Sequence, residues 1–268
     1  MTRDQARGDK ASMNDFSGRT GAALVVGGSG GLGLPIARML AKRGSHLAVT
    51  YLTDATAGAQ AVSSARDWGA RASAYQLDLT SDEAAAQVVD AVVEEYGGLH
   101  TLVYAAGPHV PMVHLSNVAP PTMAAQLQAD AAGFFNVVHP ALLHLRHVQG
   151  SIVAVTTAAT SRYPVRDGLS AGPKGAVDAL VRALAVEEGR FGVRVNAVGP
   201  GMLTDGMAGR LISSGDLSAE ALDVARGNIP LRRFGTATDI AEAVCFLASD
   251  RAGFISGQKL DVDGGYAV

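Results

Sequence analysis

Seven short apolar runs alternate with stretches of helical period along this chain, and that alternation constrains the fold more than any other feature. AALVVGG, SHLAVTY, ASAYQLD, TLVYAAG, GSIVAVTT, VRVNAVGP and QKLDVDGG each read as a buried strand ending near glycine, aspartate or small residues. Between them lie LGLPIARMLAKRG, TAGAQAVSSARDWG, SDEAAAQVVDAVVEEYG, a long piece near 121 to 149, GAVDALVRALAVEEGRFG and DIAEAVCFLASD, which repeat apolar residues at i, i+3 and i+4. Short connections and right-handed crossovers turn such a pattern into an α/β, doubly wound fold. A seven-stranded parallel sheet is flanked by helices, and ligands bind in the crevice at the carboxyl ends of the strands.

Composition narrows the function. The 268 residues are 48% hydrophobic and 18% charged, enough for one well-buried core, and the expected single domain spans 19–268 behind a loose arm at 1–18. Residues 202–228, rich in glycine, serine and small side chains, read as a mobile flap over the site. Twenty-two basic against 25 acidic side chains give a formal net charge of −3 without a long basic run, so the expected partner is a small molecule rather than nucleic acid or an anionic membrane. The segment 1–20 lacks an apolar core and no run of 18 apolar residues occurs. The only cysteine, Cys245, sits in the apolar run AVCFLA as a packed thiol. A cytoplasmic protein is expected. His139, His144 and His147 share helical spacing but lack a carboxylate partner, so they read as structural and no metal is expected.

The first chemical signal is VVGGSGGLGLPIA, residues 25 to 37. Gly27, Gly31 and Gly33 follow GxxxGxG, while Gly28, Gly30 and Gly33 match GxGxxG. Set between the first strand and the first helix, such a loop lets the backbone approach a pyrophosphate and aims helix N–H groups at it, through Ser29 and Leu32 as well as the glycines. The chain is therefore expected to bind a dinucleotide on a Rossmann fold. A carboxylate at the tip of the second strand would hold the 2′-hydroxyl of NAD, and a base would accept the phosphate of NADP. This tip reads TYLTD: Tyr51 and Thr53 are neutral and Asp54 falls late, which leans the reading to NADP(H) over NAD(H), with Asp54 on a ribose as the competing reading. Asp78 closes the third strand, where it would meet the adenine amino group or cap the next helix; Ser81 suits the cap better.

Together these features make the chain resemble the short-chain dehydrogenase/reductase family over residues 20 to 268. The likeness rests on the loop at 27 to 33, Asp78-Leu79, AAG at 105 to 107, Lys174, VNAVGPG at 195 to 201 and the ending FLASDRAGFISGQKLDVDGG. The resemblance implies a nicotinamide cofactor, with Ala105, Ala106 and Gly107 beside its ribose and Lys174 bonded to that ribose. It also implies Pro200, Gly201 and the backbone as far as Leu203 near the nicotinamide, and a homotetramer or homodimer.

The departures bear on mechanism. The family's Asn, Ser, Tyr and Lys fall on Asp130, Thr157, Ser170 and Lys174, so only the lysine is retained. Thr157 precedes Ser170 by the family's usual spacing, and its hydroxyl can still donate to a carbonyl. Tyr104 and Asp205 depart as well, from asparagine and threonine. A phenol near Lys⁺ and oxidised nicotinamide can titrate toward neutrality; a serine hydroxyl is far less acidic and shorter. Ser170 therefore stands either as a weak direct donor or as a helix N-cap before Pro173. Tyr163 in SRYP and His109 after the AAG stretch are alternative proton sources, each with a plain reading as a loop residue. Asp130 would orient a water or Lys174, or simply be solvated on its helix.

Three functions fit these residues. The first is an NAD(P)(H)-dependent oxidoreductase with a non-standard site, reducing a carbonyl or conjugated double bond of a hydrophobic or carrier-linked molecule. The second is a cofactor-binding regulatory or partner subunit without redox turnover. The third is a non-redox isomerase or cyclase in the same pocket.

Overall fold

The computed structural model describes residues 14–108, 110–205 and 219–268. Seven strands run in chain order as β1 (Ala22–Val26), β2 (Leu47–Tyr51), β3 (Ala72–Gln76), β4 (Leu99–Tyr104), β5 (Ser151–Val155), β6 (Arg194–Pro200) and β7 (Lys259–Val262). They form one parallel sheet in the order β3-β2-β1-β4-β5-β6-β7. All seven coincide with the apolar runs of the sequence.

Every residue of β1, β4 and β5 is buried, because helices cover both faces of a parallel sheet. Side chains of β1 alternate between two apolar clusters, with Ala23 and Val25 in one and Ala22, Leu24 and Val26 in the other. On the first face, α1 (Gly33–Lys42) contributes Ile36 and Leu40 and α2 (Ala55–Arg66) contributes Ala61 and Ala65. The last long helix, α8 (Ala237–Ala248), adds Ile240 and Val244. On the second face, α3 (Asp82–Tyr96) supplies Val88 and Val92, α5 (Gly133–Val148) supplies Phe134 and Val137, and α6 (Gly168–Glu188) supplies Val177 and Val181. Truncating a fully buried side chain such as Leu24 or Ile152 to alanine costs about 2–5 kcal/mol.

The chain starts to pack earlier than the expected arm would place it. Phe16 is 1% exposed, stacks on His100 at 6.0 Å between ring centroids, and donates its N–H to the Arg43 carbonyl. Of the expected flap, residues 206–218 lie outside the described residues, and the remainder includes α7 (Ala219–Gly227).

The order of the sheet reverses between β1 and β4, so the loops leaving these two strands diverge and leave a crevice at their carboxyl ends. Helix α4 (Pro120–Leu127) leads into α5 through a π turn at Gln128–Ala132. One extra residue per turn there rotates the side chains locally, a device found often at functional sites. Among the described residues no helix is long and apolar enough to cross a membrane.

Candidate active site

The loop from β1 to α1 is built so that only glycine fits at its tight points. Gly27 takes φ +74°, and a Cβ on it would fall 2.8 Å from the Cα of Ala106 across the crevice. Its N–H donates to Thr50 Oγ1 at 2.9 Å. A Cβ on Gly33 would lie 2.1 Å from the Gly27 carbonyl, whereas one on Gly31 would meet nothing within 4 Å. Leu32, at the N-cap of α1, offers no capping oxygen, and the first turn carries no acidic residue. Among the described residues the N–H groups of Gly31, Leu32 and Gly33 have no protein acceptor. Unpaired donors, a positive dipole end and an open glycine face fit the pyrophosphate of a dinucleotide.

Across the crevice, Lys174 gathers the ends of three elements. Its Nζ donates to Asp130 Oδ1 at 2.9 Å, the Ala106 carbonyl at 3.2 Å and the Val155 carbonyl at 3.3 Å. It also lies 5.6 Å above the Tyr104 ring. A Cβ on Gly107 would stand 3.3 Å from the same nitrogen, so Gly107 keeps the lysine's approach clear. The Asp130 and Lys174 side chains are 5% and 12% exposed, so the π turn delivers a buried carboxylate to a buried ammonium rather than a solvated acid on a helix surface. Tyr104, fully buried, fixes that turn: its hydroxyl donates to the Asp130 carbonyl at 3.0 Å and its ring meets Phe134 edge-on. Burial and the nearby Asp130 charge raise its phenol well above the usual value, so it remains a neutral donor.

Thr157 lies two residues beyond the Val155 carbonyl that Lys174 binds. Its Oγ1 accepts the Ala159 N–H at 3.1 Å, which leaves its own proton available to donate. Ser170 lies within the first turn of α6, half-buried, with its N–H donated to the Asp167 carbonyl at 3.0 Å. The N-cap of α6 is Asp167, not Ser170. Tyr163 is 69% exposed and lines a shallow cavity of about 240 Å³ with Asp178, Arg182, Lys259 and Asp261, a lining without Lys174, Thr157 or Ser170. His109 lies outside the described residues.

At the other end of the crevice, Tyr51 packs against Gly58, and Thr53 is exposed. Asp54 is committed as the N-cap of α2, its Oδ1 accepting the Ala57 N–H at 2.9 Å. Asp78 is exposed, and its carboxylate is held below the usual range by the N–H and hydroxyl of Thr80. Leu79 follows it and accepts from Asn136 of α5 through its carbonyl. Ser81 is the N-cap of α3. Ala105 continues the β1–β4 ladder, its N–H donated to Val26. Pro200 ends β6, Gly201 packs so closely on Asp263 that a Cβ would fall 2.6 Å away, and Leu203 is buried. Asp205 accepts the Ala237 N–H at 2.7 Å, at the start of α8. His144 lies 4.0 Å from Asp90, and His139 packs on Phe135.

A family model described as "Enoyl-(Acyl carrier protein) reductase" matches residues 26–267. A versicolorin reductase of Emericella nidulans is 33% identical over 249 residues, 91% of this chain and 94% of that protein. The chain belongs to the short-chain dehydrogenase/reductase family. Among solved structures, an actinorhodin polyketide ketoreductase with NADPH matches with TM-score 0.84 at 27% identity, covering 92% of this chain and 97% of the other. A NAD⁺-bound xylitol dehydrogenase matches with TM-score 0.85 at 26% identity, covering 94% and 99%.

As a short-chain dehydrogenase/reductase, the protein is an oxidoreductase that uses a nicotinamide cofactor. One residue of this site escaped the sequence reading. Lys259 donates to the Thr157 carbonyl at 3.0 Å, Thr160 Oγ1 at 2.5 Å and Ser161 Oγ at 2.8 Å, and so secures the turn that carries Thr157. No local signal links it to Thr157; the contact exists because β7 joins the sheet beside β6, which lies beside β5.

Proposed function

We propose that this oxidoreductase reduces a carbonyl or conjugated carbon–carbon double bond of a hydrophobic or carrier-linked small molecule, with NADP(H) in preference to NAD(H). The observation that carries this reading is the position of Lys174, whose Nζ is bonded to the carbonyl of Ala106, the residue that approaches the glycine cradle at Gly27. A reduced nicotinamide, when bound, supplies the hydride. Gly27, Ser29, Gly31, Leu32 and Gly33 would hold the pyrophosphate, Tyr51 and Thr53 the adenosine ribose, and Asp78 and Leu79 the adenine. Ala105, Ala106, Gly107 and Lys174 would take the second ribose, and Pro200, Gly201 and Leu203 the nicotinamide.

The chain's own groups polarise the substrate. Thr157 keeps a free hydroxyl hydrogen for a carbonyl oxygen. Lys174 presents its charge already offset by Asp130 at 2.9 Å, which weakens any pull on a neighbouring hydroxyl. The lysine by itself therefore does not make Ser170 an acid. Support for NADP(H) comes from the tip of β2, where the carboxylate of Asp54 is turned into the cap of α2. Support for a hydrophobic substrate comes from Leu115, packed over Gly168 at the start of α6 yet 54% exposed, and from exposed Met112 and Val165 nearby in the chain. The relatives' names, a polyketide ketoreductase and an acyl-carrier-protein reductase model, point the same way. Exposed Phe135 and Leu143 on α5 and Val186 on α6 suit self-assembly as a homotetramer or homodimer. The Cys245 thiol, pushed up to about 12 by burial, suits the cytoplasm as an inert packed group.

Fluorescence titration with NADPH and NADH, followed by loss of nicotinamide absorbance with a panel of ketones, enones and acyl thioesters, tests the proposal. Turnover of at least one class with tighter NADPH binding is expected. Binding without turnover across the panel would favour a regulatory subunit instead.

A further inference from the structure

We propose that Asp167 is the proton source of this site, delivering its carboxyl proton through the Ser170 hydroxyl to the substrate oxygen. The inference rests on the reductase reading above and supplies the acid that the reading lacks.

The geometry starts from helix α6. Asp167, Ser170 and Lys174 stand at i, i+3 and i+7, so these positions fall along one face of the helix, with Ser170 between the other two in sequence. The backbone ties the first two together, the Asp167 carbonyl accepting from Ser170 N at 3.0 Å and Ala171 N at 2.8 Å. An aspartate at an N-cap normally accepts a backbone N–H with its side chain, but Asp167 makes no such bond. Nor does it form an ion pair or side-chain hydrogen bond with any other described residue. Next to it, Leu115 lies over Gly168, where a Cβ would approach its Cδ1 within 2.7 Å, and Asp167 itself is half-buried.

Burial alone raises the Asp167 carboxyl above the usual aspartate range. Among the described residues, the titratable groups on elements packed against this end of α6 are Asp130 on the π turn, committed to Lys174, and His114 before the turn at Leu115–Asn117. Arg162, Tyr163 and Arg166 share the loop with Asp167, and Arg162 is bonded to the Tyr266 carbonyl. None of them contributes to the shift.

The step balances. Hydride adds to the carbonyl carbon as the C=O π bond breaks, and the oxygen takes the proton of Ser170. Ser170 is reprotonated by Asp167 through one bridging water, and the Asp167 carboxylate takes a proton back from solvent. One carbonyl, one hydride and one proton give one alcohol. Because a general acid works only while protonated, the rate falls as pH rises through the Asp167 titration.

The test has two readouts. In the free protein, ¹³C-carboxyl NMR of aspartate-labelled chain should show one aspartate titrating above the ordinary range, and Asp167→Asn should remove that resonance alone. With a β-ketothioester probe and reduced nicotinamide, Asp167→Asn should lower kcat by about tenfold to a hundredfold and erase the high-pH limb, and Asp167→Glu should restore part of both. NADPH affinity should not change. An Asp167 that titrates in the ordinary range, or an Asp167→Asn chain with wild-type kcat and pH profile, would overturn the proposal alone. A wild-type chain inert toward every probe would overturn the reductase reading and this one with it.

Discussion

At the scale of single residues, the Lys174–Asp130 pair decides how the site differs from one built around a phenol. One ammonium serves two carbonyls and a carboxylate, each from a different element, so it is a structural rivet as well as a cofactor ligand. Removing one partner of a buried pair strands the other charge, which costs about 3–5 kcal/mol, far more than an exposed pair would. Asp130→Ala should therefore lower stability by about 3 kcal/mol in urea unfolding, while Asp130→Asn, which keeps an acceptor for Nζ, should lose less. Lys174→Met should reduce kcat/KM by about a hundredfold or more, measured with the same reduced nicotinamide and probe, because it removes the cation that joins Asp130 and the carbonyls of Ala106 and Val155. The identity of Lys174 was legible in the sequence because its spacing from Thr157 and Ser170 is local and fixed. Its partner was legible only as one of several readings of Asp130, because an acid inside a helical stretch looks solvated until the π turn, invisible to a 3.6-residue period, rotates it inward.

At the scale of elements, the glycine loop separates two requirements that a motif match merges. Gly33 is needed for the fold, since a Cβ there would strike the Gly27 carbonyl at 2.1 Å, whereas Gly31 faces open space. Gly33→Ala should lower stability by about 1–3 kcal/mol and weaken nucleotide binding with it. Gly31→Ala should unfold as the wild type does and yet weaken NADPH binding by about tenfold in fluorescence titration, or about 1.4 kcal/mol, because the added methyl enters the space a pyrophosphate needs. Equal loss of stability in both variants would mean the loop is merely a tight turn. Strands β1 to β7 were legible because parallel strands buried on both faces must be continuous apolar runs. The cap at Ser81 was legible because a serine directly precedes its helix, whereas Asp54, weighed for a ribose, proves to be the N-cap of α2. Lys259 was not legible, since its bond to Thr157 depends on sheet order, which no local pattern encodes.

At the scale of the whole molecule, stability should follow the proton at His100. This ring is 2% exposed in β4 and is held between Ser45 Oγ at 3.3 Å, Thr101 Oγ1 at 3.0 Å and the Phe16 ring. Burial, with Arg19 and His46 adding repulsion, lowers its pKa from 6.5 to about 3. Above pH 6.5 the ring is neutral whether the chain is folded or not, and it contributes nothing to pH dependence. Between 6.5 and about 3 the unfolded chain binds a proton that the native protein refuses, so folding weakens by up to about 1.4 kcal/mol per pH unit, a few kcal/mol in all. Glu95 and Glu188, whose carboxyls are held below 4.5 by their hydrogen bonds and by Arg71 and Arg146, add their loss only nearer that value and below. Asp167, raised by burial, works in the opposite direction, since its native form takes up a proton first as the pH falls. The upper part of the acid limb therefore belongs to His100. Urea midpoints taken between pH 7 and pH 5 should fall for the wild type, and His100→Gln, itself less stable at pH 7 for loss of its packing, should show a flatter slope. Parallel slopes would place the acid sensitivity elsewhere and leave the contact between Phe16, His100 and β4 as packing without a titration attached to it.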